Sequence, residues 1–290
     1  MSDEPRLAWD LQAQLGEGPV WDERDNALWF TDIKRRKIYR LDPGTGDRRE
    51  WDSPEQVGFV FPAKGGGLIA GLQSGLHRFD PASGTFDPIV EVEPGTPTNR
   101  LNDGVVDPEG RLWFGTMDDG ERERSGAYYC FHRGELRATG IGGIAITNGP
   151  AVSPDGRTLY WVDTRCGRTF ACDIRGFGEV GESRELIRHD PSEGHPDGPT
   201  IDSDGCIWIG MYAGWEARRY SPAGGLLRAV RFPAANITKL AFGGADLRTA
   251  YATTARQLLT DEELERQPLA GGLFEFEADV GGLASPLVDD

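Results

Sequence analysis

An all-β, six-bladed propeller with four-stranded blades is the fold this sequence predicts, and three observations carry it. The 290 residues include 40 glycines and 19 prolines, which punctuate short aromatic and β-branched runs and so mark many short strands. Helical periodicity is scarce. One motif, an apolar strand, a tight polar turn and an aromatic strand, returns six times: GPVWDERDNALWFTD from Gly18, GFVFPAKGGGLIAGL from Gly58, DGVVDPEGRLWFGTM from Asp103, NGPAVSPDGRTLYWVDT from Asn148, DGPTIDSDGCIWIGM from Asp197 and KLAFGGADLRTAYATT from Lys239.

The second strands of these copies start at Leu28, Leu68, Leu112, Leu159, Ile207 and Ala250, a spacing that suits one propeller blade per copy. A third strand follows in each: KIYRLDP, GLHRFDP, GAYYCFH, RTFACDI, EARRYSP and GLFEFEA. Blade six has no candidate fourth strand after Phe276, while Leu7 to Ala13 precedes blade one without a partner. The N-terminal strand is therefore expected to close the ring as the outer strand of the last blade, which leaves only short edges and suits a monomer. Within blade six, TDEELERQP from Thr260 to Pro268 reads as a short inserted helix, with a Thr cap, early acids and a terminating Pro. No linker interrupts the pattern, so residues 1–290 are expected to form one propeller domain.

Composition limits the partners. Lys and Arg number 31 against 47 Asp and Glu, a formal charge of −16, which repels nucleic-acid phosphates and anionic lipid. No apolar run approaches the roughly 18 residues of a membrane span. The N-terminal MSDEPRLAWD has neither a basic nor an apolar signal region, and a cytoplasmic location is expected. The four cysteines show no C-x-x-C spacing and are read as free thiols. At Asn236, N-I-T fits a glycosylation acceptor that a cytoplasmic chain would not use.

The chemistry is expected at one mouth of the central channel. In a propeller the first strand of each blade lines the channel, and the position five residues before each first turn is Glu17, Val57, Asn102, Asn148, Asp197 or Thr238. Any one Asp or Asn before a strand is ordinarily a turn or cap residue, but here the same register delivers Glu, Asn, Asn and Asp. Glu17 is the least turn-like of them, and Gly16 and Gly18 beside it are read as permitting close approach of a ligand. Asn102 also fits a purely backbone-satisfying role. Two carboxylates converging without a cation would repel, and one would have to hold a proton. A divalent cation removes that cost, with Glu17 and Asp197 supplying charge and Asn148 a carbonyl oxygen. An open, oxygen-ligated cation polarises a carbonyl and activates water. Chain direction places Arg100, His195 and the loop Asp118 to Arg124 on the same face. Arg100 also fits a rim salt bridge, and His195 a solvated loop histidine.

LGEGPVWD at Leu15, NRLNDGVVDPEGRLWFGTMD at Asn99, TNGPAVSPDGRTLYWVDT at Thr147, PDGPTIDSDGCIWIG at Pro196, LAFGGADLRTAYATTA at Leu240 and RQPLAGGLFEF at Arg266 resemble the senescence marker protein/gluconolactonase/luciferin-regenerating enzyme family, whose animal members are the regucalcins. The resemblance covers nearly the whole chain. It implies a six-bladed propeller with one catalytic divalent metal at the positions of Glu17, Asn148 and Asp197, the trio that the register also selects. It further implies substrate contacts at Arg100 and Asn102 and a sugar-binding acid in the loop after GTM, where Glu121 and Glu123 are both candidates. Bacterial sugar-acid lactonases look most similar, xylonolactonase and other pentonolactonases among them.

The expected activity is hydrolysis of a sugar lactone, D-xylonolactone or a related pentono- or gluconolactone, to the aldonic acid, with Asp197 and Glu17 as the catalytic carboxylates and the general base left open between Asp197 and a metal-bound water. The metal is left open among Ca, Mg, Mn, Zn and Fe(II). No G-x-S-x-G, H-E-x-x-H or G-x-x-x-x-G-K-[ST] occurs, which disfavours serine hydrolases, zincins and P-loop enzymes. Two other readings stand beside this one. A non-catalytic binding or metal-buffering propeller would need exposed aromatics, whereas Trp29, Trp113, Trp161 and Trp208 read as core. A phosphotriester hydrolase would need an apolar pocket without Arg100, Asn102 and the acidic loop.

Overall fold

In the computed structural model, which describes residues 4–290, six antiparallel sheets succeed one another along the chain. Their inner strands are Gly16–Asp22, Val57–Pro62, Asn99–Val106, Thr147–Val152, His195–Ile201 and Ile237–Gly243. Each inner strand packs on that of the next blade, and the sixth packs on the first, so the ring is closed. Second strands begin at Ala27, Leu68, Leu112, Thr158, Ile207 and Thr249, within one residue of the positions read from the repeat. The predicted third strands are present as well.

Burial falls from the axis outward, which explains the residue choice in each strand. Gly16–Asp22 is buried at every position, whereas the outer strand Arg48–Asp52 of the same blade is almost wholly exposed and carries Arg, Arg, Glu, Trp and Asp. Trp29, Trp113, Trp161 and Trp208 are all buried between blades, as the aromatic second strands predict. In blades three and five the turn after the inner strand is fixed by one aspartate. Asp107 accepts the backbone N–H of Glu109 and of Arg111 through Oδ1 and the indole N–H of Trp113 through Oδ2. Asp202 does the same for Asp204, Cys206 and Trp208. The D-x-x-G-x-x-W spacing thus ties the turn to the core tryptophan in a single carboxylate.

Ring closure follows the expected route. Arg6–Trp9 pairs antiparallel with Leu273–Glu277 as the outer strand of blade six; the strand ends at Trp9, short of the predicted Ala13. The helix Asp261–Arg266 lies in the second-to-third connection of that blade, and Thr260 and Glu263 form a reciprocal capping box at its start. Blade four departs from the simple pattern, because its long third strand Arg168–Gly176 is flanked by two short segments, Glu179–Val180 and Arg184–Arg188. The four cysteines are free thiols. No helix among the described residues is long and apolar enough to cross a membrane.

The last ten residues, in which no strand was predicted, cross the base of the ring. Gly282 N donates to Leu247 O of blade six, Ser203 N of blade five to Gly281 O, and Val288 N to Pro62 O of blade two. Val288 is fully buried and contacts the core of blades one to three. Asp289 pairs with Lys64 and Arg133. The tail therefore spans the channel mouth opposite the one at which the inner strands begin.

Between blades four and five, His189 Nε2 lies 2.9 Å from Thr169 Oγ1, and Tyr220 packs edge-on against the ring. Burial, helped by the nearby Arg218 charge, pushes the imidazole down to about 4. In the unfolded chain the same ring takes up a proton near its ordinary value of 6.5. The stability this group contributes is present in full above 6.5 and is lost as pH falls toward 4. We expect unfolding free energy to decline over that window by on the order of 3 kcal/mol. His189→Gln should flatten that part of the profile in urea titrations at stepped pH.

Candidate active site at the channel mouth

All six inner strands carry a register irregularity at the same depth: between Glu17 and Val20, Val57 and Phe59, Leu101 and Gly104, Asn148 and Ala151, Pro196 and Pro199, and Ile237 and Leu240. A bulge re-aims the side chains around it, and this ring of bulges surrounds the positions selected by register in the sequence. Gly18 and Gly149 take positive φ at two of these bulges. A Cβ on Gly18 would lie 2.8 Å from Gly58 O, and one on Gly16 2.7 Å from Thr254 O. The glycines flanking Glu17 are therefore required by neighbouring backbone, a different reason from the ligand approach inferred from sequence.

Glu17, Asn148 and Asp197, together with Arg100 and Asn102, line one cavity of 510 Å³ at this mouth. Val57 and Thr238, the apolar and hydroxyl members of the register set, are buried outside its lining. The two acids are buried. Burial, then the Asp103 charge, pushes Glu17 up to about 8, against the N–H of Gly18 and the charges of Lys239 and Arg100. Asp197 is raised well above the usual carboxylate range by burial, then by Glu17 and Asp103. Asn148 Nδ2 donates to Thr164 Oγ1 at 2.8 Å, which leaves Oδ1 to accept Asn102 Nδ2 at 2.9 Å.

Arg100 is 2% exposed, so it is no rim residue, although it does form a salt bridge. Its Nε donates to Asp119 Oδ1 at 2.8 Å and its Nη1 to Asn102 Oδ1 at 2.6 Å and Leu101 O at 3.3 Å. Nη2 has no hydrogen-bond partner among the described residues, and the side chain lines the cavity. Asp119 is held low, at about 2, because hydrogen bonds from Lys34 and Gln56 and the Arg100 charge outweigh its partial burial. Asn102 spends both amide hydrogens on Thr147 O and Asn148 Oδ1. It thereby links Arg100 to Asn148 and keeps little capacity for a substrate of its own.

The acidic loop separates its two candidates. Asp118 Oδ2 accepts the N–H groups of Arg122 and Glu123, and Arg165 Nη1 holds Glu121 O at 2.7 Å. Glu121 takes a left-handed backbone with φ 56°, and its half-buried carboxylate lines the cavity and raises Asp197. Glu123 is exposed and lies outside the lining. His195 lines the cavity as an exposed side chain. Sequence reasoning placed Asp119 on this face only as part of the loop Asp118 to Arg124, without its role of holding Arg100, and it missed Lys239 and Asp103, buried beside the acids. It also missed the cavity wall from the blade-six insert, Gln257, Leu258, Leu259 and Glu263.

Fold and site together define a six-bladed propeller with a cavity at one channel mouth in which Glu17, Asp197 and Glu121 stand among apolar side chains such as Leu15, Met117 and Ile146. Residues 15–256 match the family described as SMP-30/Gluconolactonase/LRE-like region, and the chain belongs to that family. It is 37% identical over 276 residues to a 6-deoxy-6-sulfogluconolactonase of Pseudomonas putida, covering 94% of each chain. It is 36% identical over 283 residues to an L-arabinolactonase of Azospirillum brasilense, covering 96% of this chain and 93% of the relative. Among solved structures, a calcium-binding regucalcin from Agrobacterium tumefaciens superposes with a TM-score of 0.94 at 28% identity, covering 98% of this chain and 96% of that one.

The raised acids carry a consequence for stability. A folded-state carboxyl that keeps its proton up to about 8, against 4.5 unfolded, makes protein stripped of cations less stable as pH rises through that range. Glu17→Gln should therefore raise the melting temperature of stripped protein above pH 8, by about 2 °C or more, as read by differential scanning calorimetry. An unchanged or lower melting temperature would show that Glu17 is not a destabilising buried charge.

Proposed function

We propose that the chain hydrolyses a sugar lactone, an aldonolactone of the D-xylono or a related pentono- or gluconolactone type, to the aldonic acid, with a divalent cation at Glu17, Asn148 and Asp197. The observation that carries this reading is the convergence of two buried carboxylates and an oriented amide oxygen with Arg100 in one cavity, in a chain similar to two proteins named as sugar lactonases. The residues fit a cation. Two buried acids, Glu17 raised by burial and the Asp103 charge and Asp197 by burial and then by Glu17, are relieved by a positive charge between them. Their donor set is all oxygen, which suits a hard ion such as Ca, Mg or Mn, while Zn and Fe(II) are ions to be compared. When bound, such an ion supplies Lewis acidity to the lactone carbonyl.

The chain's own groups account for binding and proton movement. Arg100, fixed by Asp119 and Asn102, presents its free Nη2 to a ring or hydroxyl oxygen of the sugar. Glu121, which also lines the cavity, accepts a hydrogen bond from a sugar hydroxyl. Asp197 takes a proton from the attacking water and returns it to the ring oxygen as the ester C–O bond breaks. Asn102 keeps Asn148 and Arg100 in register. Relatives named for an arabinolactone and for a gluconolactone derivative lie at nearly equal identity, so the substrate panel must span both ring families.

The test is proton release from xylono-, arabino- and gluconolactone by stripped protein resupplied with each divalent ion in turn, against the spontaneous rate. Turnover should need the ion and vanish in Glu17→Gln and Asp197→Asn. Arg100→Ala should raise KM by about tenfold to a hundredfold, the loss of one charge-assisted hydrogen bond. Ion binding without turnover on any lactone would favour the binding-propeller reading, and turnover of a phosphotriester in its place the other.

A further inference from the structure

One residue deeper than the trio, a second set of charges crosses the channel. Asp103 follows Asn102, Gly149 follows Asn148, Gly198 follows Asp197 and Lys239 follows Thr238. Lys239, on the inner strand of blade six, reaches to blade three, where its Nζ donates to Asp103 Oδ1 at 2.5 Å and Gly104 O at 3.0 Å. Its stem runs over blade five so closely that a Cβ on Gly198 would lie 2.8 Å from Lys239 Cγ. Asp103 in turn accepts Gly104 N at 2.7 Å and Gly149 N of blade four at 2.9 Å. Both side chains are buried. On the far side, Lys239 lines the cavity that the C-terminal tail covers.

A buried ion pair stabilises a fold poorly compared with apolar packing of the same volume, so stability alone gives little reason for one at the centre of four packed blades. Its place does. Asp103 holds the backbone N–H of Gly149, the residue after Asn148, and the Lys239 stem lies against Gly198, the residue after Asp197. When ionised, Glu17, Asp197 and Asp103 carry three negative charges, of which Lys239 offsets one; Arg100 in the same cavity is offset by Asp119, and Glu121 adds one negative charge to the cavity wall.

We propose that Lys239, anchored by Asp103, is a positioning residue that sets the charge of the cation cage and so makes it favour a divalent over a trivalent ion of similar size. This rests on the cation reading of Glu17, Asn148 and Asp197 above. Without Lys239 the cage is one unit more negative; without the Asp103 charge it is one unit less negative.

The experiment titrates Ca²⁺ and Tb³⁺ separately into stripped protein and reads the ratio of the two affinities. In Lys239→Met the preference for Tb³⁺ over Ca²⁺ should rise by about tenfold or more, since the added charge acts on one further charge of the ion through protein interior. In Asp103→Asn it should fall by a similar factor, and in the double variant it should return to within about threefold of wild type. A purely structural role would weaken both ions alike and leave the ratio unmoved in every variant, which would overturn the inference. Lys239→Gln and Asp103→Ser make the same charge changes and replace any variant that does not fold. Wild-type protein that binds neither ion would instead overturn the cation reading itself.

Discussion

Six inner strands have to approach one axis so closely that backbone meets backbone, and this crowding governs both the composition of the chain and the geometry of its cavity. A Cβ on Gly18 would meet Gly58 O at 2.8 Å, and one on Gly58 would meet Asn102 O at 2.3 Å, so glycine links blades one, two and three in succession. The same closeness brings residues from the starts of separate strands into one lining. A bulge at a common depth in each inner strand interrupts regular pairing there and re-aims the side chains around it. Site and scaffold are therefore the same feature: the place where the ring is tightest is where its polar groups converge.

Convergence of that kind works against stability, and the molecule answers it in layers. Glu17 and Asp197 are buried and repel. Arg100 and Lys239 bring positive charge to either side of them, and each is held by its own aspartate, Asp119 or Asp103. Asn102 and Asn148 tie Arg100 to the inner strand of blade four through hydrogen bonds in which three of their four amide hydrogens have an acceptor. The rest of the fold absorbs the strain of this centre, with tryptophans fixed by turn aspartates between the blades, the first strand closing the last sheet, and the tail spanning the base.

What could be read without coordinates was whatever repeats. The strand–turn–strand motif recurs because each blade solves the same packing problem, and its period set the blade count and the strand starts. Register did the same for the cavity: aligning the six copies singled out Glu17, Asn102, Asn148 and Asp197, which the structure places around one cavity. The orphan strand at the N-terminus was legible by elimination, since blade six lacked a fourth strand.

Contacts along chords of the ring were not legible. Lys239 meets Asp103 across 136 residues, Lys34 meets Asp119 across 85, and Val288 returns to Pro62. A chord joins positions that occur once, at separations no period predicts, and so leaves no pattern in a single sequence. The same holds for loops. Glu121 and Glu123 are equivalent by composition, and only the Asx turn at Asp118 and the Arg165 contact decide which carboxylate lines the cavity. The sequence by itself determined the propeller and the depth at which its polar residues meet, because both follow from repetition. The tertiary structure alone decided how those residues are charged, paired and held, because that depends on single contacts between blades.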